Sequence, residues 1–169
     1  MLGPQTLYDL NKHCAAGISL FYRPSLGGLS SATNGLLAKR FVEFTESVAN
    51  GRSKKTYRLT IVGRSAFLAW MKEPIAGGNL EVIALTKVYF LGLIPDPAGR
   101  QAILADIVRR VESDAAELDE LSASLDGLTI PAEHSAVFHY QRLTLDYGIG
   151  AHGFGLAWFR ELLDDELRG

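Results

Sequence analysis

"FVEFTESVANGRSKKTYRLT", residues 41–60, is where the apolar periodicity of this chain changes, and the fold class turns on it. Phe41, Val42 and Phe44 interleave with Glu43, Thr45 and Ser47, and Thr56 to Leu59 alternate again beyond Asn50-Gly51. A period of two on both sides of Asn-Gly predicts a β-hairpin with a two-residue turn, because these residues tolerate the positive φ angles that such turns need. Arg52, Lys54, Lys55 and Arg58 crowd around Tyr57, so the predicted hairpin has a basic tip.

Helical patterns flank the hairpin. Upstream, Thr6 and Asp9 have capping-box spacing, and Leu7, Leu10 and Cys14 continue at helical intervals to Gly17, which predicts a helix over 7–16. Pro24 and Ser25 open a second helix. Its Leu26, Leu29, Leu36 and Leu37 share one face with Thr33 between them, and Gly27, Ser30, Ser31 and Asn34 line the other. Downstream, Thr60 caps a helix containing Phe67, Leu68, Trp70 and Met71 that ends before Pro74. Helix, turn, helix and basic hairpin in that order form a winged helix-turn-helix, expected over residues 1–73. In such modules the second helix enters the DNA major groove and the wing reaches phosphates or the minor groove. The expected DNA contacts are Tyr22, Arg23, Ser25, Ser30, Ser31 and Asn34 around the second helix, and Arg52, Lys54, Lys55 and Tyr57 on the wing.

Charge supports the division. The 169 residues carry a net charge of only -2. Residues 1–60, however, hold eight Lys/Arg against Asp9, Glu43 and Glu46, a net +5, which leaves -7 for the remainder. Such asymmetry points to an anionic partner for the basic part. An apolar content of 47% suffices for a core without disulfides or metals. No apolar run approaches the ~18 residues of a membrane span, and the N-terminus lacks signal-peptide character, so a cytoplasmic protein without a membrane partner is expected. Cys14 is the single cysteine and lies on an apolar stripe, which suits a structural thiol.

Residues 80–169 read as a helical dimerisation and effector domain. An apolar helix over 80–93 precedes Pro95-Asp96-Pro97, where Asp96 as N-cap and Pro97 at the first helical position start the next helix. Leu104, Ile107, Val111, Asp114, Leu118, Leu121, Leu125 and Leu128 follow at alternating spacings of 3 and 4, a heptad seam. The seam is expected to pair with a second chain or with the returning C-terminal helix, and Leu104, Val111, Leu118, Leu121 and Leu125 are the expected homodimer contacts. Asp114, the polar misfit, should meet a basic residue or mark a splay. The last helix is expected from Pro131 to about Leu167. Gly148, Gly150, Gly153 and Gly155 interrupt its pattern at about 1 kcal/mol each, implying close packing, a kink or room for a ligand.

Other chemistry finds little support. "GIGAHG" (148–153) matches a dinucleotide fingerprint only as a string, since no strand precedes it. The four histidines form no His-x-x-x-His pair, Cys14 has no second cysteine, and no Ser/His/Asp constellation can be assembled. No cofactor, metal or enzymatic activity is expected.

The pieces "LYDLNKH", "FYRPSLGGLSSATNGLLAKRFVEF" and "GRSKKTYRLTIVGRSAFLAWMKEP", with a looser "LDYGIGAHGFGLAWFREL", give a chain that resembles the PadR family of bacterial transcriptional regulators over nearly its whole length. The resemblance implies a mainly α fold: a winged helix with a small β-hairpin, joined to a coiled-coil-like helical dimerisation domain. It further implies a DNA-binding homodimeric repressor, relieved by a small aromatic effector. Trp70, Tyr89, Phe154 and Trp158 are the aromatic side chains expected at an effector pocket. Two departures from the family pattern stand out. The helix with which family members begin would end before "MLGPQT", and Ser30-Ser31 stand where the family tends to place a Tyr. A dimeric interaction module that does not bind DNA is the alternative these departures raise.

Overall fold

A computed structural model describes residues 3–49 and 52–169, which form two compact units. The first comprises the chain up to Glu73 together with Glu81–Tyr89; the second comprises Pro74–Leu80 and Phe90–Gly169.

In the first unit, α1 (Leu7–Ala16) begins on a complete capping box. Thr6 Oγ1 accepts from the Asp9 N–H at 3.1 Å, and Asp9 Oδ2 accepts from the Thr6 N–H at 3.1 Å and from the Thr6 hydroxyl at 2.7 Å. A 3-10 turn, Ile18–Leu20, leads to α2 (Leu26–Ala38), where Ser25 Oγ accepts from the Gly28 N–H at 3.0 Å. Then come β1 (Val42–Ala49) and β2 (Arg52–Leu59), antiparallel in a register running from Val42 opposite Leu59 to Ala49 opposite Arg52. The expected Asn50-Gly51 turn lies outside the described residues. Gln5 bridges to Tyr57 through bonds of 2.9 and 2.7 Å, occupying part of the free edge of β2.

Helix α3 (Ile61–Lys72) is capped by Thr60 and locked to the start of the hairpin. Thr60 Oγ1 accepts from the Gly63 N–H at 2.9 Å and donates to Arg40 O at 2.8 Å, while the Thr60 N–H donates to Phe41 O at 3.0 Å. Gly63 is buried there because a methyl group would overlap the Phe41 carbonyl oxygen. Helix α4 (Leu80–Tyr89) was assigned from sequence to the C-terminal half, as part of a helix running to Leu93; instead its residues from Glu81 cluster with the first unit, and it ends at Tyr89 before a 3-10 turn, Leu91–Leu93. It contributes Lys87, only 2% exposed, whose ammonium donates to the carbonyls of Met71 (3.2 Å) and Glu73 at the end of α3. A buried cation is tolerable when such acceptors replace water, and the lone Lys in the apolar run "LEVIALTKVYF" was the sequence signal for it.

The second unit is an antiparallel pair of long helices, α5 (Pro97–Leu125) and α6 (Ser135–Arg168), connected through a 3-10 turn, Ala132–His134. Arg100 pairs with Glu166 at 2.7 Å near one end, Arg160 with Glu112 at 2.5 Å in the middle, and Arg142 with Asp126 at 2.8 Å at the other end. Of the two partners open to the heptad seam, α5 therefore takes the returning helix. Ile103, Leu104, Ile107, Val108 and Val111 are buried, whereas Leu121 and Leu128 are exposed. Asp114, the misfit, lies 2.8 Å from Arg110 one turn earlier. The glycines do not interrupt α6, which runs unbroken for 34 residues. Gly148 packs near Leu118, where an added methyl would be 3.8 Å from Leu118 Cδ1, while Gly150 and Gly153 face open space. Packing along α5 outweighs a propensity cost of about 1 kcal/mol per glycine.

Candidate nucleic-acid interface

The candidate surface comprises α2 and the hairpin. Helix α2 has no charged residue, and its expected outer face is open: Gly27, Ser31 and Asn34 are exposed and Ser30 half-buried. Its apolar stripe is less buried than its spacing predicted. Thr33 is the buried residue, donating to Leu29 O at 2.8 Å, whereas Leu26 and Leu36 are exposed. Tyr22 is exposed just before the helix, and Arg23 reaches back to Ser19 O at 3.5 Å. Ser25 Oγ is engaged as the helix cap, so its hydroxyl hydrogen is what it can still offer to a ligand.

Strand register sorts the wing into two faces, because directly opposed residues project to the same side. One face carries Val42, Phe44, Glu46 and Val48 opposite Leu59, Tyr57, Lys55 and Ser53; the other carries Glu43, Thr45 and Ser47 opposite Arg58, Thr56 and Lys54. The basic residues read together in the sequence are thereby separated. Lys55 lies over the Phe44 ring, 4.5 Å from its centroid, and Tyr57 is half-buried with its ring 5.9 Å from that of Phe44. Lys54 is on the opposite face, as is Arg58, which is neutralised by Glu43 at 2.5 Å. Thr6, Tyr8, Asp9, Ser53, Lys54 and Tyr57 line an open cleft of about 460 Å³ between the start of α1 and β2. Hydrogen bonds from the Thr6 side chain and backbone hold the Asp9 carboxyl below its usual pKa, and Lys54 and His13 pull in the same direction.

The two units differ most in how their cations are used. Every arginine of the second unit is ion-paired: Arg100, Arg109, Arg110, Arg142, Arg160 and Arg168 each meet a carboxylate. In the first unit Arg58 pairs with Glu43, while Lys12, Arg23, Lys39, Arg40, Lys54, Lys55, Arg64 and Lys72 are exposed with no ion pair among the described residues. Arg23, Lys39 and Arg40 flank α2 and Lys54 and Lys55 lie on the wing, while Lys12 is on α1 and Arg64 and Lys72 are on α3.

The four aromatic side chains expected at an effector pocket divide between the units. In the first, Trp70 is half-buried, 5.4 Å from the Lys87 ammonium, and Tyr89 stacks edge-on against Phe21 at 6.2 Å. In the second, Phe154 and Trp158 lie on α6, both exposed. Of the expected dimer contacts, Leu104 and Val111 are buried within the chain, Leu118 and Leu125 are half-buried, and Leu121 is exposed. What the sequence reading missed is the outer face of α6: Tyr140, Leu143, Tyr147 (79% exposed), Phe154 (77%) and Trp158 lie open at helical spacing. Their spacing was visible, but not which of two apolar stripes α5 would cover. Among the described residues no helix is long and apolar enough to cross a membrane, and no group of His, Cys, Asp and Glu is placed to hold a metal ion.

No protein-family model matches this sequence, nor does any curated protein. Among solved structures, the chain is similar to Bacillus subtilis PadR in complex with operator DNA (16% identity, 97% of this chain and 92% of that chain, TM-score 0.41). It is similar also to the same regulator in complex with p-coumaric acid (17% identity, 97% and 88%, TM-score 0.45). A third is a PadR-like transcriptional regulator from Bacillus cereus (20% identity, 98% and 91%, TM-score 0.42). All three are transcriptional regulators, and the superpositions are loose.

Proposed function

We propose that this chain is a DNA-binding transcriptional regulator that places α2 in the major groove and the β1–β2 wing against the adjacent backbone. The observation that carries the reading is the set of exposed cations without an ion pair beside an uncharged, small-residue helix face, in a molecule whose second unit has every arginine neutralised. Cations on the flanks supply affinity through phosphates, and an open helix face carrying Ser31 and Asn34 suits base edges. The regulator acts as a homodimer joined through the outer face of α6, where Tyr140, Tyr147 and Phe154 are too large and too exposed for a solvated helix face. Operator occupancy by the dimer represses transcription. A small aromatic effector that relieves repression would register at Trp70 or Trp158, and titration of phenolic acids against tryptophan fluorescence tests for one.

The direct test is fluorescence anisotropy of a labelled duplex across a salt series. Each phosphate contact contributes about -0.9 to the slope of log K against log [salt], so a steep negative slope is expected, and Asn34→Ala should cost about 1–3 kcal/mol at one base position only. Absence of salt-dependent binding to any duplex, including the DNA upstream of its own gene, would refute the reading. The interaction module without DNA binding would then be favoured, because Ile61 (87% exposed) and Val62 leave apolar surface open at the start of α3.

A further inference from the structure

Arg40 is the one non-glycine residue among the described ones with a positive φ, 58°. It occupies the position after the C-cap of α2 in a Schellman arrangement: the Phe41 N–H donates to Leu36 O at 2.9 Å and the Arg40 N–H to Leu37 O at 2.9 Å. Glycine is the ordinary occupant of that left-handed site, since it has no Cβ to strain against the backbone. The corner is also held from outside, because Thr60 Oγ1 donates to Arg40 O at 2.8 Å and Gly63 lets α3 close against Phe41. The conformation is thus fixed by its surroundings, yet the side chain placed there is long, charged, exposed and without an ion pair among the described residues.

A structural role would have the Arg40 side chain capping the end of α2. That role is already filled: the carbonyls of Gly35, Leu36 and Leu37 accept from the N–H groups of Lys39, Phe41 and Arg40, respectively. Backbone strain retained under an unsatisfied functional group points to a binding role, and the C-terminal end of a groove-reading helix is a place where phosphates are met.

Resting on the DNA-binding reading above, we propose that Arg40 is a phosphate anchor, a rigidly mounted guanidinium at the junction of α2 and the wing that clamps one backbone phosphate and sets the angle at which α2 enters the groove. An arginine suits this because its planar fork can hold a phosphate with two parallel hydrogen bonds. Lys54 pairs with Ser47, five residues along β1 from Val42, which places it roughly 17 Å along the wing from this corner at about 3.4 Å per residue. That distance is about two Debye lengths of about 8 Å at physiological salt, so the contributions of Arg40 and Lys54 should be additive.

The test is Arg40→Gly in the full chain, read by thermal unfolding and by anisotropy of a labelled mixed-sequence duplex over a salt series, with Arg40→Lys alongside. Glycine relieves the left-handed strain, so Arg40→Gly is expected to melt at the same or a higher temperature, while its binding slope flattens by about 0.9 unit. Arg40→Lys keeps the charge and should retain the slope. Unchanged affinity and slope in a stable Arg40→Gly, with wild-type binding intact, overturns the anchor and leaves the DNA-binding reading standing. Wild-type protein that binds no duplex overturns both.

Discussion

Gly63→Ala should unfold the first unit more readily, although alanine is the better helix former. The added methyl would overlap Phe41 O and lie 2.7 Å from the Phe41 carbonyl carbon and 2.8 Å from its Cα, all backbone atoms that cannot rotate away. Carbon atoms in contact rest at about 3.5–4.0 Å, so α3 and the start of the hairpin must part by about 1 Å. The bonds spanning that gap are short, at 3.0 Å from the Thr60 N–H to Phe41 O and 2.8 Å from Thr60 Oγ1 to Arg40 O, and neither survives such a shift. Overpacking of this kind costs about 1–3 kcal/mol, and weakening the Thr60 cap about 1 kcal/mol more. The helix propensity gained over glycine offsets about 1 kcal/mol. A net loss of about 1–3 kcal/mol lowers the melting temperature by roughly 2–12 °C in a chain of this size. Gly35→Ala is the control, because nothing lies within 4 Å of the position its methyl would take, and it should gain about 1 kcal/mol. Paired thermal and urea unfolding of both variants decides the matter. A Gly63→Ala protein as stable as wild type, or stabilised like Gly35→Ala, would refute the close approach of α3 to Phe41.

Lys54→Ala should flatten the salt dependence of DNA binding by about 0.9 unit. Lys55→Ala should chiefly lose the contact with the Phe44 ring, about 0.5–1 kcal/mol of hairpin stability. Equal slope losses from the two would show that both wing faces touch phosphate. The Asp9 carboxyl, held low by Thr6, contributes stability that is fully present above the ordinary carboxyl pKa of about 4 and is lost as pH falls through its lower folded value. In an NMR titration, Thr6→Ala should raise the Asp9 midpoint toward the ordinary range, with the backbone N–H bond, Lys54 and His13 still holding it down, and reduce protection of the α1 amides even at neutral pH; an unmoved midpoint would contradict the Thr6 hydroxyl as its main cause. Tyr147→Lys combined with Phe154→Lys should give folded monomers in sedimentation, since both side chains are exposed within one chain, and an intact dimer would exclude the outer face of α6 as the interface.

The helix starts were legible because their causes are local. Thr6 with Asp9, Ser25 with Gly28, Thr60 with Gly63 and Asp96 with Gly99 each satisfy an orphan N–H within three residues, and the sequence shows both partners at once. The hairpin was legible for the same reason, since alternation and an Asn-Gly pair specify a register without reference to the rest of the chain. Side-chain environments were settled by groups distant in sequence. Only the packing of α6 on α5 decided that Leu104 and Val111 are interior while Tyr147 and Phe154 are surface, because both stripes are apolar and hydrophobic burial has no direction of its own. Strand pairing, not composition, sent Lys54 and Lys55 to opposite faces. The left-handed turn at Arg40 is held by Thr60, twenty residues away, and no local pattern announces a strain whose compensation lies in another element.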